Sequence, residues 1–441
     1  MSDKIYDYVG IGIGPFNLSL ACMLDPIKEL DGILLDKGAK FNWHPGLLFD
    51  DARLQTPFMS DLVTLADPTS PFTFLNYIKE QGRLYSFYIR ENFFLLRNEY
   101  NQYCQWAASK LSNLQYNTEV LNVEYDEVQS CYVIHATSTT NGTAKTYRTK
   151  KLILGTGPVP HVPLCCEALA GDAIHASKYL FEKSNLQARK SITVVGSGQS
   201  AAEIVLDLLQ DIHHYDYELS WITRSPRYFP LEYTKLTLEM TSPEYVDYLY
   251  DLPAKKRETL NRDHVHLAKG INGDTINEIF DTLYAKRVVK EIKVNLFTNS
   301  ALEKVTFNEN SGQYEMEFLQ REEEKRYAHN SEGLILSTGY AFHIPGYLDG
   351  ITSRIRWNEQ GQYDTHRYYT IDHQNKDVFV QNAEHHSHGF VTPDLGMCCY
   401  RNAHIIRQLL GREYYPIETQ IAFQEFAVSS VREIRKQAEL A

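Results

Sequence analysis

Three stretches of this chain place chemically useful residues at useful spacings. The first is DYVGIGIGPFNLSLA, residues 7–21, an apolar run that breaks into Gly10, Gly12 and Gly14, then Pro15, before a second apolar run. A strand, a glycine turn and a helix start leave N–H groups unpaired at the positive end of the helix dipole, which suits a pyrophosphate. The dinucleotide fingerprint G-x-G-x-x-G is met at its first two glycines, while Pro15 stands at the third position. Asp36, at the end of the next apolar run, lies roughly two dozen residues past Gly10, near the spacing at which an acid holds a ribose hydroxyl. The second stretch is SITVVGSGQSAAEIVLDLL, residues 191–209, which reads Gly196-x-Gly198-x-x-Ala201 with Gln199 and Ser200 in the turn. Alanine is tolerated at the third position. The run after it, ELSWITRSPR, ends in Arg224 and Arg227 where the first unit has Asp36. Arginine there suits a 2′-phosphate, which it grips bidentately. The first unit is therefore read as a site for FAD and the second as a site for NADPH. The third stretch holds His385, His386 and His388. With no H-E-x-x-H and no second cluster, no metal is expected.

Positioning these groups takes two strand–turn–helix units and two crossings between them. KLILGTGPVPHVP (151–163) and GLILSTGY (333–340) read as apolar strands that end at a nucleotide. The expected fold class is α/β, with two Rossmann-like dinucleotide-binding domains and a small helical substrate subdomain. The first domain is discontinuous, 1–165 and 332–441, and the second covers 166–228 and 290–331. Residues 229–289 are rich in helix formers and aromatics without strand alternation, and are read as a cap over a substrate pocket.

Composition narrows the partners. The chain has 441 residues, 43% apolar, with a net charge of −12 and no basic block. That argues against nucleic acid or an anionic membrane. No run approaches the length of a membrane span. The first strand starts near Ile5, which leaves no room for a leader, and seven cysteines without C-x-x-C suggest a reduced, cytoplasmic chain.

Nearly the whole chain resembles the flavin-dependent N-hydroxylating monooxygenases of siderophore biosynthesis, the lysine, ornithine and diamine N-hydroxylases. The stretches that carry the resemblance are GIGIGPFNLSLA (10–21), FNWHPGLL (41–48), LQTPFMSDLVTLADPTSPFTFLNYI (54–78), VVGSGQSAAEI (194–204), STGY (337–340) and NAEHHSHGFVTPDLGMCCYRNA (382–403). The resemblance accounts for Pro15. It implies that NADPH reduces FAD, that reduced flavin takes up O2 as a C4a-hydroperoxide, and that a neutral primary amine attacks the distal oxygen to become a hydroxylamine. It implies that Gly10, Gly12, Gly14, Pro15, Asp36, Trp43, His44 and Tyr340 bind cofactor, and that Gln55 contacts the flavin ring. It places His388 and Gly389 beside the isoalloxazine, with Gln55 and His388 the catalytic candidates. Gly196, Gly198, Gln199, Ser200, Arg224 and Arg227 would hold NADPH, and a homo-oligomer, dimer or tetramer, is expected.

One departure bears on substrate. The amino-acid hydroxylases of this family carry a lysine five residues after the flavin glutamine, where it pairs with the substrate's α-carboxylate. Here that position is Ser60, in FMSDL. A serine supplies no such charge, which points to a decarboxylated amine: putrescine, cadaverine or histamine. The other reading is L-lysine or L-ornithine, with Lys269 serving as the cation. Three rivals stand outside amine hydroxylation. A flavin disulfide reductase needs a C-x-x-C. A Baeyer–Villiger or sulfur-oxygenating monooxygenase is half matched by Leu169, Gly171, His175 and Tyr179. A non-catalytic redox sensor would keep the fold alone.

Overall fold

The computed structural model describes residues 4–169 and 173–428. Gly171, one of the four residues of the half-matched signature, lies outside them. Two sheets organise the chain, each around one of the glycine turns.

In the first sheet the order is Leu114–Gln115, Gly32–Leu35, Ile5–Ile11, Ala144–Leu154, Cys131–Ser138 and Thr118–Asp126. Ile5–Ile11 is parallel to both neighbours, with Gly10 opposite Leu34 on one side and Ile153 on the other. The chain leaves Ile11 to one side and returns to the other, so the turn at Gly12 sits at a topological switch point, where such sheets bind ligands. From Tyr8 to Ile11 the strand is buried on both faces, as a central parallel strand requires. Val378–Val380 adds to the C-terminal half of Ala144–Leu154, in parallel. This late strand brings the chain back to the first unit. Gln381 Nε2 donates to Asn17 Oδ1 at 2.7 Å, and Asn17 Nδ2 donates to Gly12 O at 2.7 Å. One buried amide therefore ties the glycine turn to the returning chain.

The second sheet is wholly parallel, in the order Ile174–His175, Gly333–Leu336, Ser191–Val195, Glu218–Ile222 and Val294–Phe297. An antiparallel meander of Ser300–Asn308, Gln313–Gln320 and Lys325–Ser331 makes up the connection from Val294–Phe297 back to Gly333–Leu336. The two crossings between the units run side by side, Val159–Pro160 pairing with Tyr340–Ala341.

Two boundaries differ from the sequence reading. Gly333–Leu336 lies between Ile174–His175 and Ser191–Val195, so the return to the first unit begins after it rather than at 332. The helix Gly273–Val289 is not part of the cap. Its Ile276, Ile279 and Leu283 pack in the same core as Ile204, Val205 and Leu208 of the helix Gln199–Asp211. The aromatic content of 229–289 hid this division, because cap and domain helix share helical composition. The helix Pro243–Asp251 packs instead on the late part of the first unit, Tyr245, Val246 and Leu249 against Phe390, Val391 and Met397.

Candidate active site

The first glycine turn opens onto a cavity of about 1680 Å³. A site for one small ligand is typically ~300–1,000 Å³, so this space has room for more than one. Gly12 has φ +90°, and a Cβ on it would lie 2.4 Å from Gly155 O. Gly14 caps the helix Pro15–Leu24, with Pro15 at the first helical position, and a Cβ there would meet nothing within 4 Å. The open space is on the cavity side, where a phosphate approaches the helix start. Gly10 has a different role: it lies within the strand, where a Cβ would crowd Leu34 Cγ at 2.9 Å. Asp36 spans the turn. Its carboxylate accepts from Ile13 N and Gly38 N, each at 2.7 Å, and it still faces the cavity with lone pairs to spare. A glycine turn with an open helix start and a facing acid fits a dinucleotide.

Trp43, His44, Gln55 and Tyr340 line the same cavity. The Trp43 amide donates to Asn101 Oδ1 at 2.9 Å. His44 is held at φ 50° with Nδ1 3.4 Å from the Tyr340 hydroxyl. Burial, and then the charge of Arg97, lower its pKa to about 4, so the ring is neutral at pH 7. Gln55 is on the strand Arg53–Pro57, and its Nε2 reaches Gly270 O at 3.4 Å.

Ser60, in the turn after the same strand, also lines the cavity. It is buried, and a Cβ placed on Gly396 would lie 3.4 Å from Ser60 Oγ and 3.2 Å from Asp394 Oδ1. Ser60, Asp394 and Gly396 therefore converge, and Tyr233 is close enough to feel the Asp394 charge. Burial raises the Asp394 pKa, opposed by the Gly396 N–H at 2.8 Å and the charge of Arg401. Phe390, Leu395 and Met397 supply apolar wall. Residues near the chain's end close the side: Pro416, Ile417 and Ile421 line the cavity. That segment is strapped down by two glutamates. Glu244 accepts from the amides of Ile421 and Ala422, and Glu239 from those of Phe423 and Gln424.

Three of the expected residues lie off this cavity. His388 is 1% exposed and does not reach the cavity. Its Nδ1 pairs with Ser387 Oγ at 2.9 Å and its Nε2 with Arg367 O at 3.0 Å, so both nitrogens are used in the core. Gly389 also lies off the cavity; at φ +78° it turns the chain against Leu249, so that Phe390 is the residue presented. Lys269 is exposed and outside the lining, with its charge felt at His385. The sequence reading missed Asp394 and Arg97. Asp394 was visible in the turn-forming TPDLG of the last matching block, whereas nothing local distinguishes Arg97.

The second unit repeats the first in outline. Gly196 has φ +141° and a Cβ there would lie 2.1 Å from Ser337 O. Gly198 caps the helix Gln199–Asp211 and is open around its missing Cβ. Ser200 lies half-buried in the first turn. The Gln199 amide is engaged, accepting from Asn272 N at 2.8 Å and donating to Glu203 Oε1 at 2.9 Å. Arg224 is exposed just beyond the strand Glu218–Ile222, and Arg227 stacks its guanidinium 4.4 Å from the Phe229 ring centre. Arg224 thus follows the strand that pairs in parallel with Ser191–Val195, the strand leading into the second turn.

Comparison with known proteins agrees with this geometry. A profile of the L-lysine 6-monooxygenase/L-ornithine 5-monooxygenase family matches residues 4–342. The chain is 49% identical to a putrescine N-hydroxylase of Shewanella oneidensis, over 98% of this chain and 86% of that one. It is 43% identical to a putrescine N-hydroxylase of Acinetobacter baumannii, over 97% of this chain and 94% of that one. The crystal structure of DfoA bound to FAD, the cadaverine monooxygenase of the desferrioxamine pathway of Erwinia amylovora, superposes with a TM-score of 0.95 at 53% identity, covering 97% of this chain and 100% of that one. With two glycine turns, a large cavity at the first switch point and a match across most of its length, the chain belongs to the L-lysine 6-monooxygenase/L-ornithine 5-monooxygenase family of N-hydroxylating enzymes.

Proposed function

We propose that this chain binds FAD at the first turn and NADPH at the second, and hydroxylates one amine of a small diamine, putrescine or cadaverine, for a hydroxamate siderophore. The balance is R–NH2 + O2 + NADPH + H⁺ giving R–NHOH + NADP⁺ + H2O. Bound in the cavity, the flavin supplies oxygen activation with electrons from NADPH. The chain's own residues bind, orient and exclude water. The helix start at Gly14 and Pro15 would hold the phosphates, and Asp36 would hold the ribose. An alkyl amine has an unperturbed pKa of about 10.4, so the reacting end must be held uncharged. Taking that end out of water favours the uncharged form by desolvation. Neutral His44 adds no positive charge to the site.

The observation that carries the diamine reading is Ser60 beside Asp394. An amino acid needs a cation where its carboxylate lies. This end of the cavity offers a hydroxyl and a carboxylate, which suit the second ammonium of a diamine. The relatives named for putrescine and cadaverine support the same reading. The test is product analysis with putrescine, cadaverine, histamine, L-ornithine and L-lysine, each with oxygen-dependent NADPH consumption. A diamine should dominate, and a preference for ornithine or lysine would overturn the reading.

Location and assembly belong to the same proposal. Among the described residues no helix is long and apolar enough to cross a membrane. That supports a cytoplasmic enzyme, checked by fractionation. Phe280, Tyr284 and Val288 form an exposed stripe along the helix Gly273–Val289, which supports a homo-oligomer, checked by light scattering.

A further inference from the structure

Arg97 and Glu203 join the two units by a buried ion pair. Arg97 opens the helix Arg97–Lys110 in the first unit, and Glu203 is on the helix that begins at the second glycine turn. The pair is bidentate, with Nη1 to Oε2 at 2.9 Å and Nη2 to Oε1 at 2.7 Å. The side chains are only 12% and 7% exposed.

Each partner is tied into its own site. Arg97 lines the cavity, its charge is felt at His44, and its Nη1 also donates to Leu47 O at 3.0 Å. Its backbone amide donates to Ala52 O at 2.7 Å. Both ends of the segment 47–52 are thus held by one residue. That segment leaves the first unit: Leu47, Phe49 and Ala52 pack in the second unit's core, and Phe49 lies against Tyr179. On the other side, Glu203 accepts from Gln199, and Gln199 accepts from Asn272 at the start of the helix Gly273–Val289. The apolar contacts between the units are non-directional, whereas a bidentate guanidinium–carboxylate pair fixes angle as well as distance.

We propose that Arg97 and Glu203 are a positioning pair that sets the second glycine turn against the cavity, so that the hydride donor and its acceptor meet in register. This rests on the reading of NADPH as the reductant. Neither residue transfers anything; they act through the placement of the second unit. A misplacement of about 1 Å costs a transfer step on the order of a hundredfold, so the effect belongs to the reduction step and not to the reaction of the amine.

The test is Glu203→Gln, which keeps the shape and removes the charge, with Glu203→Asp as the partial rescue. Flavin content and melting temperature establish that each variant folds. At saturating NADPH, reduction of the bound flavin should slow at least tenfold in Glu203→Gln and less in Glu203→Asp. After chemical reduction by dithionite, hydroxylation of the amine should stay within twofold of wild type. Independently of turnover, backbone hydrogen exchange over residues 45–52 should speed up at least tenfold. Should Glu203→Gln fail to fold, the double replacement Arg97→Met with Glu203→Met removes both charges at once and is read by the reduction rate and by exchange. Reduction within twofold of wild type, an equal loss in both half-reactions, or unchanged exchange would overturn the proposal. If the wild-type flavin is not reduced by NADPH at all, it is the functional reading that fails.

Discussion

Single side chains decide what this cavity accepts. Ser60 and Asp394 converge on one point, and their chemistry favours a cation. Asp394→Asn keeps the volume and removes the charge. It should raise KM for a diamine roughly tenfold or more, with kcat little changed, since a charge-assisted bond is worth about 1.5–3 kcal/mol and the reacting amine is untouched. Ser60→Lys should worsen the diamine and improve ornithine or lysine, narrowing their ratio by on the order of tenfold to a few hundredfold. Steady-state kinetics on both substrate classes checks each variant. Arg224 faces solvent beside the second turn. Arg224→Ala should raise KM for NADPH well above the change for NADH, and equal changes would remove Arg224 from the 2′-phosphate. Ser60 was legible in the sequence, because its position is fixed by a short distance from Gln55. Asp394 was visible only as a turn residue, because its partner Ser60 is more than three hundred residues away and only folding brings the two together. His388 misled for a related reason: a histidine in a matching block reads the same whether it faces a ligand or, as here, spends both nitrogens on Ser387 and Arg367.

The two glycine turns show how local patterns translate into elements. Strand, turn and helix were legible at both, since apolar runs, positive-φ glycines and a proline at the helix start each have a local cause. The glycines within a turn are not equivalent, though, and that required the structure. Gly12→Ala places a Cβ 2.4 Å from Gly155 O at φ +90° and should destabilise the fold itself. Gly14→Ala meets no protein atom within 4 Å. It should leave the melting temperature of the cofactor-free protein unchanged while weakening FAD binding at least tenfold. Thermal melts of apoprotein beside flavin titrations separate the two effects. What the pattern could not give was allegiance. Gly333–Leu336 and the helix Gly273–Val289 look alike from either unit, and only pairing with Ser191–Val195 and packing on Gln199–Asp211 assign them.

Across the molecule, buried histidines give the fold a dependence on pH. Burial lowers His44 to about 4 and His404 to about 3. Each stays neutral in the folded state while its unfolded counterpart takes up a proton below about 6.5. The unfolded chain then binds more protons, so stability present at pH 7 is lost on acidification, by roughly 2 kcal/mol per histidine at pH 5. Buried Asp61 and Glu384, whose carboxyls are raised, work in the opposite sense. A substitution isolates one contribution. His404 stacks on Tyr368 with ring centres 4.8 Å apart, so His404→Phe keeps the ring and removes the titration. The difference in urea midpoint between pH 7 and pH 5 should shrink in that variant. An unchanged difference would mean that His404 is protonated in the folded state.

The strand Val378–Val380 and the amide of Gln381 complete the first sheet, although the glycine turn they secure lies near the start of the chain. On the ribosome this means a wait. Roughly 220 residues separate Leu154 from Val378, about 10 to 45 seconds at 5–20 residues per second. Through that interval the nascent first unit carries an open strand edge and a turn without its buried tie, while the whole second unit is made and can fold. Securing of the first glycine turn is thereby coupled to near-completion of the polypeptide, because its buried tie is made late.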